Sequence, residues 1–207
     1  MTDPVMLARA WQVQSLLIGY PDESLYERTG LLRQAAASLP EPVGGPLLRF
    51  LDDLTAVAPG ALAADYVATF DHRKRCCLFL TYYAHGDTRN RGMALLSLKQ
   101  AYTAAGLELT DEELPDHLAV VLEYAAIDPE TGLDLLVAHR AGLELLRLAL
   151  HDATSPWAAV LDSISATLPP LVGDQRTAVA RLAAQGPPAE QVGLTPFAMP
   201  RPEGVPR

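Results

Sequence analysis

The sequence predicts an all-α protein, and three observations carry that expectation. Leu and Ala dominate the aliphatic residues, and both are strong helix formers. The β-branched residues are scattered instead of grouped in alternating runs. Apolar positions recur at helical spacing between breaks marked by Pro and Gly. With 207 residues, 49% of them hydrophobic, the chain can bury one sizeable core. A single-domain bundle of about eight to ten helices is expected over residues 1–185, followed by a Pro-rich tail at 186–207.

In the first helix, 3–18, Asp3 serves as N-cap and Pro4 takes the first helical position. Leu7, Ala10, Trp11, Leu17 and Ile18 share its apolar face, and Gly19 ends it. Tyr20-Pro21-Asp22-Glu23 opens a second helix with acids at its positive end and Leu25, Leu31, Leu32 and Ala35 for the core. Tyr20 is either a buried corner residue or a wall of a peptide groove. Residues 38–46, SLPEPVGGP, read as a linker, and a helix over 46–58 follows with Leu47, Leu48, Leu51 and Leu54 inward. Pro59-Gly60 breaks it, and a fourth helix covers 61–71.

Residues 66–106 concentrate features that are sparse elsewhere. They hold His72, Cys76 and Cys77, the aromatics Tyr66, Phe70, Phe79, Tyr82, Tyr83 and Tyr102, and the cations Arg73, Lys74, Arg75, Arg89 and Arg91. The first part reads as a short buried segment between two helices, close to a binding surface. A helix then runs to about Ala105 on Leu95, Leu98, Tyr102 and Ala105, with Asp87 or Thr88 as its cap. Thr110 and Glu113 have the spacing of a capping box, but Pro115 intervenes, which favours a single turn there. The next helix has Pro115 in its first turn and Leu118, Val121, Leu122, Ala125 and Ala126 inward.

Residues 129–151 read as one helix whose second half, LELLRLAL, is apolar on nearly every side and belongs at the centre of the bundle. Ser155-Pro156 begins another, carrying Trp157, Val160, Leu161 and Ile164, and a weaker helix covers 174–185. From Gly186 the chain lacks periodicity and cannot bury enough apolar surface to offset its ordering entropy, so the tail is expected to be mobile.

The net charge of −9 argues against nucleic-acid binding, which needs a surplus of cations, and favours a cationic partner if the acids converge. Two adjacent cysteines cannot build a disulfide framework, the N-terminus has no secretory pattern, and no apolar run is long enough to span a membrane. A cytoplasmic protein without stable membrane association is expected. The five histidines and the Cys76-Cys77 pair lack metal-ligand spacing, and no phosphate loop, dinucleotide cradle or nucleophile elbow occurs. No metal and no cofactor is expected, and no catalytic residue is nominated.

The most informative polar group is Pro115-Asp116-His117 with Glu123. Seven residues separate Asp116 from Glu123, about two helical turns, so their carboxylates are expected to face the same way and to receive cations of a basic peptide. The plain alternative is a first-turn acid beside an ordinary capping histidine. The cations at 73–75 and 89–91 are solvated, paired with Asp71 and Asp87, or directed at an acidic partner or an anionic cofactor. A further reading makes Cys76, Cys77 and His72 the site of a small redox sensor or enzyme.

Three strings, LIGYPDE (17–23), the whole of 66–106 and ELPDHLAVVLEYAA (113–126), resemble the NarJ-type family of nitrate reductase molybdenum cofactor assembly chaperones, also called the delta subunit. The resemblance covers most of residues 10–150. It implies the all-helical fold of TorD-like chaperones, no catalysis, and binding of the catalytic (alpha) subunit of respiratory nitrate reductase during cofactor insertion and assembly. It also implies that the N-terminal leader of that subunit binds as a helix in a groove, and that the chaperone is not a subunit of the mature enzyme. The family's Asp-His pair after a Pro falls on Asp116 and His117, which ties them to leader binding. Tyr66, Phe70, Tyr83 and Leu122 are the expected apolar walls.

Overall fold

In the computed structural model, residues 3–110, 113–186 and 188 are described. They form α1 (Pro4–Ile18), α2 (Glu23–Ala37), α3 (Glu41–Ala56), α4 (Pro59–Phe70), α5 (Leu80–His85) and α6 (Arg89–Ala104). Then follow α7 (Leu118–Ile127), α8 (Pro129–Ala138), α9 (Arg140–Asp152), α10 (Trp157–Thr167) and α11 (Asp174–Gln185). A single 3-10 turn covers Lys74–Cys76, and the described residues contain no strand. The all-α expectation holds, with α5 and a break at His139 raising the helix count above the expected range.

The main core lies where α1 packs on α7 and α10 and where α3 packs on α10 and α2. Trp11, Leu17, Leu47, Leu51, Val121, Trp157 and Ile164 are all buried there. Some polar groups in this interior bond across helices: Trp11 Nε1 donates to Thr167 Oγ1 at 3.0 Å, and Gln14 Nε2 donates to Ser163 Oγ at 2.8 Å. Ser163 in turn donates to the Val43 carbonyl at 2.7 Å, which ties α1, α10 and α3 together. Helix starts follow the sequence where a cap is available. Asp3 accepts from the Val5 amide at 3.0 Å, and Asp22 accepts from the Leu25 amide at 2.9 Å.

Several boundaries differ from expectation. The linker at 38–46 shrinks to three residues, because α3 begins at Glu41 and continues through Pro46. Gly44 makes this possible: a Cβ there would lie 2.3 Å from the Ala36 carbonyl, so only glycine lets α3 close onto the end of α2. Pro59 starts α4 as its first residue instead of breaking the chain before it. Thr88 occupies the cap position of α6, but its hydroxyl donates to the His85 carbonyl and caps nothing. Leu31 and Ala105, expected inside, are exposed.

The helix expected over 129–151 is two helices, divided at His139 with φ −97° and ψ 11°. The second, α9, buries Leu143, Leu146 and Leu150 in the main core but is not enclosed on every side. Its Arg140 and Glu144 are buried and paired at 3.0 Å, and Glu144 and Asp162 both hold Arg147, so this face is committed to α10 and Leu148 is left outward. The turn read at Thr110–Glu113 includes Asp111 and Glu112, which lie outside the described residues. The expected mobile tail also lies outside them, apart from Gly186 and Pro188.

Candidate functional site

Residues 78–80 and residues 116–118 run side by side. Phe79 and His117 form an antiparallel β-bridge, in which Leu118 N–H donates to the Leu78 carbonyl and Leu80 N–H donates to the Asp116 carbonyl, both at 2.9 Å. This pairing explains why α7 begins at Leu118 and not at Pro115. Pro115 and Asp116 form a turn, closed by His117 N–H donating to the Leu114 carbonyl at 3.0 Å, and His117 itself is extended at φ −63° and ψ 132°.

Asp116 is therefore not a first-turn acid of α7, and it does not face the same way as Glu123. It is fully buried, whereas Glu123 is exposed. One of its oxygens, Oδ2, accepts from the Thr81 amide at 3.2 Å and from the Thr81 hydroxyl, and lies 3.4 Å from Arg91 Nη2. Phe79 has no side chain able to cap α5, so Asp116 caps that helix from across the bridge. Arg91 reaches in from α6, contacts Thr81 Oγ1 at 3.2 Å, and sits 5.5 Å above the Phe79 ring. An acid held this way braces the surface beside it and cannot itself meet a ligand.

His117 stands at that surface. Its ring packs edge-on against Phe79 at 5.4 Å, and Nδ1 lies 3.4 Å from Glu113 Oε2. Burial holds its pKa below the ordinary histidine value, opposed by the Glu113 and Asp116 carboxylates. Around it opens a cleft of about 320 Å³ whose walls include Tyr20, Tyr66, Phe70, Phe79 and Leu114, with Asp71 and Glu113 supplying acids. Tyr66 anchors the aromatic floor, packing at 5.5 Å on Tyr20, 4.7 Å on Phe70 and 5.4 Å on Trp157. Its hydroxyl donates to the Ile18 carbonyl at 3.3 Å.

Of the residues nominated from sequence, Tyr66, Phe70 and His117 meet at this cleft. Tyr83 and Leu122 do not: both are buried in the main core, with the Tyr83 hydroxyl spent on the Arg75 and Cys77 carbonyls. Glu123 lines a different cleft. Tyr20, at 55% exposure, takes the groove-wall position and not the buried corner. Sequence reasoning passed over Glu113 and Leu114, although both stand in the string that carries Asp116 and His117. It treated Asp71 only as a partner for nearby cations.

The family model described as nitrate reductase delta subunit matches residues 23–162. The chain belongs to this family. A Mycobacterium tuberculosis H37Rv protein named nitrate reductase-like protein NarX is 37% identical over 158 residues, covering 76% of this chain and 24% of that protein. The chain thus spans about a quarter of the length of that relative. The Escherichia coli K12 nitrate reductase molybdenum cofactor assembly chaperone NarJ is 34% identical, covering 72% of this chain and 65% of that one. A Bacillus subtilis relative carrying the NarJ chaperone name is 31% identical, with 74% and 85% covered. A crystal structure described as a redox enzyme maturation protein from Archaeoglobus fulgidus superposes with a TM-score of 0.57 at 21% identity, over 85% of this chain and 93% of that one. This likeness establishes the shared fold.

Every residue of the aromatic cleft except Tyr20 falls within the span of the delta-subunit match. The redox reading of Cys76 and Cys77 finds no support beside it. Cys76 is buried and Cys77 half-buried, and burial pushes both thiols above the usual range, away from the reactive thiolate. His72 is exposed. Among the described residues no group of three His, Cys, Asp or Glu side chains is placed to hold a metal, and no helix is long and apolar enough to cross a membrane.

Proposed function

We propose that this delta-subunit family member is a chaperone for a nitrate reductase. It binds the catalytic subunit in the cytoplasm through that subunit's N-terminal leader, while molybdenum cofactor is inserted and the complex assembles. It works by binding, catalyses no reaction, and separates from the mature enzyme. The names of the NarJ relatives support the partner and the task.

The observation that carries the binding mode is the cleft itself: an aromatic floor rimmed by Asp71 and Glu113, with His117 between. Such a site suits an amphipathic helix that places apolar side chains on Tyr20, Tyr66 and Phe70 and directs cations at the rim. Asp116 serves this site from beneath, by fixing Thr81, Arg91 and the bridge that presents Phe79 and His117.

Calorimetry with the N-terminal peptide of the catalytic subunit tests the reading. Tyr20→Ala removes an exposed wall without opening the core and should weaken binding by about 1–2 kcal/mol. Because the rim is acidic, added salt should also slow association. A peptide that binds wild type and Tyr20→Ala equally well does not use this cleft.

A further inference from the structure

A second cleft, about 280 Å³, opens on the other side of Glu113. Its apolar lining includes Leu107, Leu109, Val120, Tyr124 and Ile127, and its acids are Glu108, Glu113 and Glu123. Glu113 lines both clefts. The floor here is not an extension of the main core: Leu98, Tyr102 and Tyr124 form a separate buried cluster, capped only by half-buried side chains. Ile127, at the edge, is 55% exposed.

The charges are as unbalanced as the apolar cover. Among the described residues, neither Glu108 nor Glu123 has an ion pair, and Glu113 has only His117, at 3.4 Å. Burial favours the neutral form of that imidazole, so it is a weak counter-ion. Three carboxylates around an incompletely covered aliphatic and aromatic wall are complementary to an apolar side chain flanked by cations.

We propose that one bound segment occupies both clefts, with an apolar anchor in each and a Lys or Arg between them on Glu113. The recognised pattern is then apolar–cation–apolar, and Glu113 is the residue that sets the register of the ligand. This rests on the leader-binding reading above and extends it to the length and chemistry of the segment that is read.

The test uses the full chain and the N-terminal peptide of the catalytic subunit, with affinity measured by fluorescence anisotropy. Ile127→Lys breaks the apolar wall of the second cleft and adds a like charge beside the ligand's cations, so affinity should fall by at least about tenfold. Ile127→Met keeps the wall apolar and should retain most of the affinity that Ile127→Lys loses, with matched thermal unfolding as the check that all variants fold. Glu113→Gln should weaken binding, and should weaken it less for a peptide whose central cation is replaced by Gln. If Tyr20→Ala weakens binding while Ile127→Lys leaves it unchanged, the two-cleft inference is overturned and the aromatic cleft stands alone. If neither variant changes affinity, the leader reading fails with it. If only Ile127→Lys has an effect, the segment does not bridge the clefts, which also overturns the proposal.

Discussion

Set beside the main core, the part of the molecule that carries α5 and α6 is fastened in a different way. In the core, α1, α3, α7 and α10 meet through Trp11, Leu47, Leu51, Val121 and Trp157, all within 1% of complete burial. Along α6 only Leu98 and Tyr102 are buried, while Met93 and Leu96 face outward. Leu98 and Tyr102 join Tyr124 in a small cluster apart from the main core, and polar contacts supply the rest of the hold on α6. Arg91 reaches Asp116 and Thr81, and the Tyr102 hydroxyl donates to the Pro115 carbonyl at 2.7 Å. Packing free energy is spread over many contacts, whereas a buried polar junction concentrates it in a few groups. The two candidate clefts lie where these regimes meet: Tyr66 and Phe70 belong to the packed side, and Phe79 to the side held by hydrogen bonds.

This contrast predicts two kinds of damage. The larger comes from Trp11→Ala, which empties a fully buried site and removes the Nε1 bond to Thr167. It should cost about 3–5 kcal/mol of global stability, read as a lower denaturant midpoint. Asp116→Ala should cost somewhat less, roughly 3 kcal/mol, because it strands Arg91 and the Thr81 donors. Its damage should also be local, with hydrogen exchange accelerating over Leu80–Ala104 well before α1 or α10 is affected. Asp116→Asn retains an acceptor for Thr81 and should recover part of that protection. If Asp116→Ala instead loosened all helices equally, the separation between the two regimes would be lost.

The same contrast explains how far the sequence could be read. Where apolar periodicity and a local cap decide the structure, as at Asp3–Ile18, Asp22 and Trp157–Ile164, helices form at or near the expected positions. Where long-range polar contacts decide it, spacing misled. Asp116 and Glu123 lie two turns apart only if residue 115 is helical, and the bridge to Phe79 prevents that. The apolar run at 143–150 suggested a helix enclosed on every side, yet Arg140 and Glu144 bond to Ser165 and Arg147 to Asp162 on α10, contacts that periodicity along one helix does not reveal. Tyr66, Phe70 and His117 were legible as cleft residues because the aromatic cluster and the Asp-His pair stand in the strings that resemble the family. Glu113 was not, since its meaning comes from lying between two concavities that are built by distant segments.

The smallest expected effect concerns pH, and it sharpens the comparison by singling out the junction. Burial holds the pKa of His117 below its unfolded value, against the Glu113 and Asp116 carboxylates. Burial does the same to His139, where Asp116 opposes the shift and His85 adds to it. Above about pH 6.5 both imidazoles are neutral whether folded or unfolded and contribute nothing to the pH dependence. As pH falls through that value the unfolded chain takes up protons first, so stability declines until pH passes below the folded-state values, where the loss is complete. The decline should be modest, because nearby carboxylates offset part of the desolvation at both rings. Urea melts of His117→Gln with His139→Gln should show a flatter profile between about pH 6.5 and the onset of carboxylate titration near pH 4. An unchanged slope in the double variant would mean that neither imidazole feels its burial, and that the junction is wetter than its packing implies.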